Sequence, residues 1–155
     1  MGTPPSLGLR NADLLDRTLE ILEVLVAYDT IALTPNLDMI GDCRDRFESL
    51  GATVVLTHDG TRTKANLFAT IGPDVAGGVV LSGHSDVVPV DAADWTTPPF
   101  TADRRGDRVY GRGTADMKGF ISCVLAMAPA YAALDLVRPI HVALTFDEED
   151  GFHGA

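Results

Sequence analysis

The chain has 155 residues, 46% apolar and 22% charged, which suits one globular domain with a hydrophobic core and sets disorder aside. A formal net charge of -10 argues against non-specific binding to nucleic acid, which needs Lys and Arg against phosphates. No apolar run approaches the ~20 residues of a membrane-spanning helix, so no membrane partner is expected.

The opening MGTPPSLGLR lacks the basic and apolar regions of a secretory signal. From Asn11 to Ala27, Leu14, Leu15, Thr18, Leu22, Leu25 and Val26 share one helical face with Ile21 beside them, which predicts an amphipathic helix capped by Asn11 or Asp13. Pro35 and Asn36 mark a turn into a second helix striped by Leu37, Ile40, Phe47 and Leu50, with Gly51 as its left-handed stop. The β-branched run Thr53–Thr57 is a strand candidate, followed by a turn at His58–Thr61. Ala65–Ile71 and Gly77–Leu81 are the next strands, the latter apolar on both faces as a central covered strand would be.

Asp91–Gly106 reads as an exposed loop pinned by Trp95, Pro98, Pro99 and Phe100. After Val109-Tyr110 comes GRGTADMKG, then a buried helix from Phe120 to Ala128, ended or kinked near Pro129. A last strand, Ile140–Phe146, runs into Asp147-Glu148-Glu149-Asp150. Strands alternating with helices predict a layered α/β domain. Cys43 and Cys123 stand outside any CxxC pair and read as buried reduced thiols, so a reducing, cytoplasmic compartment is expected.

Three clusters carry the chemistry. In Ser82-Gly-His84-Ser-Asp86, His84 and Asp86 are two apart and point to the same side of an extended chain. Asp86 could hold the second ring nitrogen of a metal-binding His84, or support a ligand from elsewhere. In Gly111–Gly119 the glycines allow tight turns and close approach, leaving Asp116 exposed and constrained where loop meets helix. The spacing is neither GxxxxGK[ST] nor GxGxxG, which excludes phosphate-loop and dinucleotide readings. A carboxylate at Asp116 can bridge two cations. In the third cluster, adjacent Glu148 and Glu149 diverge after a strand, so one can bind metal while the other faces water. An isolated acidic turn is usually only solvated. Here, though, imidazole and carboxylates recur at successive strand ends, where α/β sheets place ligands, and that set suits zinc, cobalt or manganese.

GHSDVVP, YGRGTADMKG and TFDEED, in this order, resemble the signatures of the dizinc hydrolase family of acetylornithine deacetylase, succinyl-diaminopimelate desuccinylase and the aminoacylases. KANLFATIGP, GHSDVVPVD and GRGTADMKGF are most similar to its acetylornithine deacetylase branch. The resemblance implies an α/β, three-layer mixed-sheet catalytic domain and two divalent metal ions, zinc foremost. It implies that His84 ligates one ion, Asp116 bridges both and Glu149 ligates the other. Asp86 orients or tunes His84, and Glu148 is the general base. It further implies a cis peptide at Asp116–Met117, a small N-acyl amino acid as substrate, foremost N2-acetylornithine in arginine biosynthesis, and a homodimer for the full-length protein. Desuccinylase, aminoacylase, dipeptidase or non-catalytic fragment are the alternatives.

Relatives also supply a carboxylate soon after the Glu-Glu pair, a histidine near their C-terminus and an inserted dimerisation (lid) domain. None of these falls within residues 1–155, which are therefore expected to be the N-terminal part of a catalytic domain, incomplete at the C-terminus. The final EEDGFHGA departs from the EEVGCxG pattern, and His153 reads as a solvated tail residue.

Overall fold

The computed structural model describes residues 11–154; the N-terminal MGTPPSLGLR segment lies outside them. In chain order the elements are α1 (Asn11–Ala27), α2 (Leu37–Glu48), β1 (Thr53–His58), β2 (Ala65–Ile71), β3 (Val79–His84), β4 (Asp103–Arg105), β5 (Arg108–Tyr110), α3 (Lys118–Ala132) and β6 (Ile140–Thr145). The principal sheet is mixed, in the order β1-β2-β6-β3. β6 runs antiparallel to β2 and parallel to β3, with His84 paired to Thr145 at the end of the ladder.

Alternation along the strands separates two faces. Ala65, Leu67, Ala69 and Ile71 of β2 and Val142 and Leu144 of β6 are buried, and they join Ile21, Leu25, Ile40, Phe47, Ile121 and Leu125 from the three helices in one core. Each fully buried Leu, Ile or Phe contributes ~1.5–3 kcal/mol, so this shared core is what holds the helices to the sheet. The opposite face carries Val55, Phe68 and Val80, all exposed. The mixed α/β architecture read from the sequence is observed, with the three described helices serving one core.

Four details differ from expectation. β3 is the edge strand of the described sheet, and Val79 and Val80 are 57% and 55% exposed. A β-branched run suits any strand; its lateral place depends on its partner, and β6 takes the central position. Pro129 lies inside α3, which continues to Ala132. The missing Pro N–H costs one helical bond, but Ala128 and Ala130 on either side are buried and hold the turn. Cys123 and Leu15 are exposed, because each falls on the outer side of its helix. His58 closes β1 instead of opening the turn.

The loop after Asp91 contains a short 3-10 turn, Ala92–Asp94, and the hairpin β4–β5. Trp95 does pin it: the Arg112 guanidinium lies 5.1 Å over its ring, and the Arg112 N–H donates to the Pro99 carbonyl at 2.7 Å.

Candidate metal centre

His84 stands at the C-terminal end of β3, where the strand leaves the sheet. The following residues are locked in place by Ser85, whose N–H donates to the Thr145 carbonyl at 2.8 Å and whose hydroxyl donates to the same oxygen at 2.9 Å. Thr30 from the loop after α1 donates its hydroxyl to the Ser85 carbonyl at 2.6 Å. Buried Asn36 reaches both the Ser85 hydroxyl and the backbone of Ala65. Asn36 was legible only as a turn residue; its role as a buried clamp depends on three segments meeting.

Asp116 is presented by the glycine-rich turn before α3. Gly113 has φ +81°, and a Cβ there would lie 2.7 Å from Val87. A Cβ on Gly119 would meet the Thr114 carbonyl oxygen at 2.3 Å, so both glycines are required by close approach. The Asp116–Met117 bond is cis, as the resemblance implied. Lys118, fully buried, donates from Nζ to the Tyr28 carbonyl at 2.6 Å and ties α3 to the end of α1. Burial pushes its pKa down to about 8.

The five residues singled out from the sequence come together. Side-chain ligand atoms of His84, Asp116 and Glu149 all lie within 4.8 Å of one another. His84 Nε2 is 3.1 Å from Asp116 Oδ1 and 3.8 Å from Glu148 Oε2. His84 Nδ1 lies 2.9 Å from the backbone carbonyl of Asp86 and 3.6 Å from its carboxylate. A carbonyl oxygen only accepts, so Nδ1 carries a proton. Nε2 then faces the Asp116 and Glu148 carboxylates, with Nδ1 already engaged by the Asp86 carbonyl. One imidazole with converging carboxylates fits a divalent metal ion on that ground.

Asp86, buried, uses its carboxylate elsewhere: Oδ1 accepts the Glu148 N–H at 3.1 Å and Oδ2 accepts the Glu149 N–H at 3.0 Å. It therefore fixes His84 through its backbone and the Glu-Glu pair through its side chain. The Glu149 carboxyl is pushed above its ordinary range by burial, opposed by His84 and reinforced by Asp116, Glu148 and Asp86. His153 is exposed and its side chain is not in the His84–Asp116–Glu149 cluster. Among the described residues, no helix is long and apolar enough to cross a membrane.

Residues 80–155 match the profile of peptidase family M20/M25/M40. The chain is 40% identical over 144 residues to an acetylornithine deacetylase of Shigella sonnei (strain Ss046), covering 88% of this chain and 37% of that protein. Its fold is similar to human carnosine dipeptidase 1, with TM-score 0.74 and 26% identity over 86% of this chain and 32% of that one. It is also similar to an M20 family metallo-carboxypeptidase of Sulfolobus solfataricus, with TM-score 0.72 and 25% identity over 86% of this chain and 31% of that one. The chain thus spans between 31% and 37% of the length of these relatives. The likeness to peptidase family M20/M25/M40 thus lies in residues 80–155, and the likeness to an acetylornithine deacetylase extends over 88% of the chain.

Proposed function

We propose that these residues form part of the centre of a metal-dependent amide hydrolase acting on N-acyl amino acids, foremost N2-acetylornithine. The observation that carries this reading is the convergence of His84, Asp116 and Glu149 within 4.8 Å. Likeness to an acetylornithine deacetylase over 88% of the chain supports the substrate class. In this reading His84, Asp116 and Glu149 hold two divalent ions, zinc foremost, with cobalt or manganese as substitutes. Such ions supply Lewis acidity, polarising an amide carbonyl and acidifying water.

The chain's own groups do the rest. Glu148, 3.8 Å from His84 Nε2, takes the proton of the attacking water and returns it to the departing amine. Asp86 aims Glu148 and Glu149 by holding their backbone N–H groups. Three protein ligands are few for two ions, so residues 1–155 are read as the N-terminal part of the catalytic unit. On this basis the 155-residue chain alone shows no turnover; the likeness to acetylornithine deacetylase supports a homodimer in arginine biosynthesis for the complete protein, and its free cysteines support a cytoplasmic one. Turnover by the 155-residue chain that disappears in Glu148→Gln overturns that expectation.

The test is acetate release from N2-acetylornithine by the complete protein supplied with zinc or cobalt. Glu148→Gln should abolish release while metal binding persists. No release with either metal rules out this substrate. Likeness to a dipeptidase and a carboxypeptidase favours a dipeptide as the second candidate, which release of free amino acids from a dipeptide by the same protein decides.

A further inference from the structure

We propose that Lys64 is a positioning residue for the metal centre, acting through a buried ion pair with Asp147; this rests on the metal-binding reading of His84, Asp116 and Glu149. Asp147 immediately precedes the Glu-Glu pair and is 2% exposed. Its backbone has φ +51°, in the left-handed region that a non-glycine residue keeps only when its surroundings hold it there. Both carboxylate oxygens are engaged. Oδ1 accepts the Leu33 N–H at 2.8 Å, and Oδ2 accepts from Lys64 Nζ. The Lys64 ammonium also sits 5.4 Å from the ring centroid of Phe146.

Lys64 immediately precedes β2, and Asn66, two residues further on, grips the same loop. Asn66 Oδ1 accepts the Phe146 N–H at 3.1 Å, and its amide donates to the Gly154 carbonyl. Residues 146 and 147 are therefore held from the β2 side, while Asp86 holds Glu148 and Glu149 from the β3 side. The turn is clamped at both flanks, and its direction decides whether Glu149 faces His84 and Asp116. The Lys64–Asp147 ion pair is itself buried, so removing the cation leaves an uncompensated charge. Without Lys64, the Asp147 carboxylate stays buried with no cation beside it, and the turn loses one of its holds on the β2 side. Lys64 does not belong to the ligand cluster itself. Its influence passes through Asp147.

The experiment is titration of the complete protein and its variants with Co2+, read by calorimetry and by visible absorption, whose bands report coordination geometry. Lys64→Met should bind Co2+ about tenfold more weakly or worse, in line with losses of outer-shell support, with altered bands. Lys64→Arg should restore the bands, since it keeps charge and donors. Should Lys64→Met fail to fold, Asp147→Asn keeps the Leu33 acceptor without the charge and should show the same weakening. Wild-type affinity and bands in Lys64→Met, or in Asp147→Asn where that replaces it, overturn this inference alone. Absence of Co2+ binding by the complete wild-type protein overturns the metal-centre reading and this inference with it.

Discussion

The carboxylate of Asp86 accepts the backbone N–H of Glu148 at 3.1 Å across 62 residues of sequence, and its second oxygen accepts that of Glu149. One buried side chain thus carries the registration between two strand ends. Its own carbonyl meanwhile sets the tautomer of His84.

Asp86→Asn keeps one acceptor and turns an amide donor against the other N–H. We expect metal affinity to fall about 10–100-fold, as for other supports of ligand groups. Stability should fall by about 1–3 kcal/mol from the unsatisfied N–H. Co2+ titration and urea unfolding measure the two effects separately, and unchanged values in both would refute the assigned role.

The raised pKa of Glu149 fixes the sign of a pH dependence. The folded metal-free chain holds this proton more tightly than the unfolded chain. The resulting stability is present below the ordinary glutamate pKa and is lost as pH rises through the folded value. Glu149→Gln should flatten that decline in urea unfolding of the metal-free protein. Metal affinity should move the other way, falling as pH drops into the same range, because proton and cation compete for one carboxylate.

Lys118 gives the opposite sign. Its pKa is lowered from 10.5 to about 8 by burial, so between these values the unfolded chain binds more protons. Stability should therefore rise with pH across that window. Lys118→Met should lack the rise, and a melting series in which both proteins climb equally would exclude Lys118 as its source.

The two thiols should differ in reactivity. Burial pushes Cys43 up to about 12, whereas Cys123 is exposed. A native chain treated with an alkylating reagent at neutral pH should take up one label, at Cys123. The second should appear only after denaturation, as peptide mass analysis would show.

Sequence pattern was sufficient for the amphipathic periods of α1 and α2, for the alternation of β2 and for the five polar residues at strand and loop ends. Those features are local: a 3.6-residue or two-residue period, a glycine that needs φ above zero, or a carboxylate at the end of an apolar strand. Val79 and Val80 were misplaced because an apolar run is the same in a central and an edge strand, and only pairing with β6 distinguishes them. Lys64 could not be paired with Asp147, 83 residues away, from either residue's neighbours.

The sequence by itself brought out His84, Asp116, Glu148 and Glu149 as candidates, because polar side chains at the ends of apolar strands and in a glycine-rich turn stand out locally. What only the tertiary structure decided is how they are held. Asp86 divides its carbonyl and carboxylate between His84 and the Glu-Glu pair. Asp147 is buried against Lys64 and Leu33. These contacts join segments brought together by the shared core, and burial, which makes an unpaired charge or N–H costly, exists only once that core has formed.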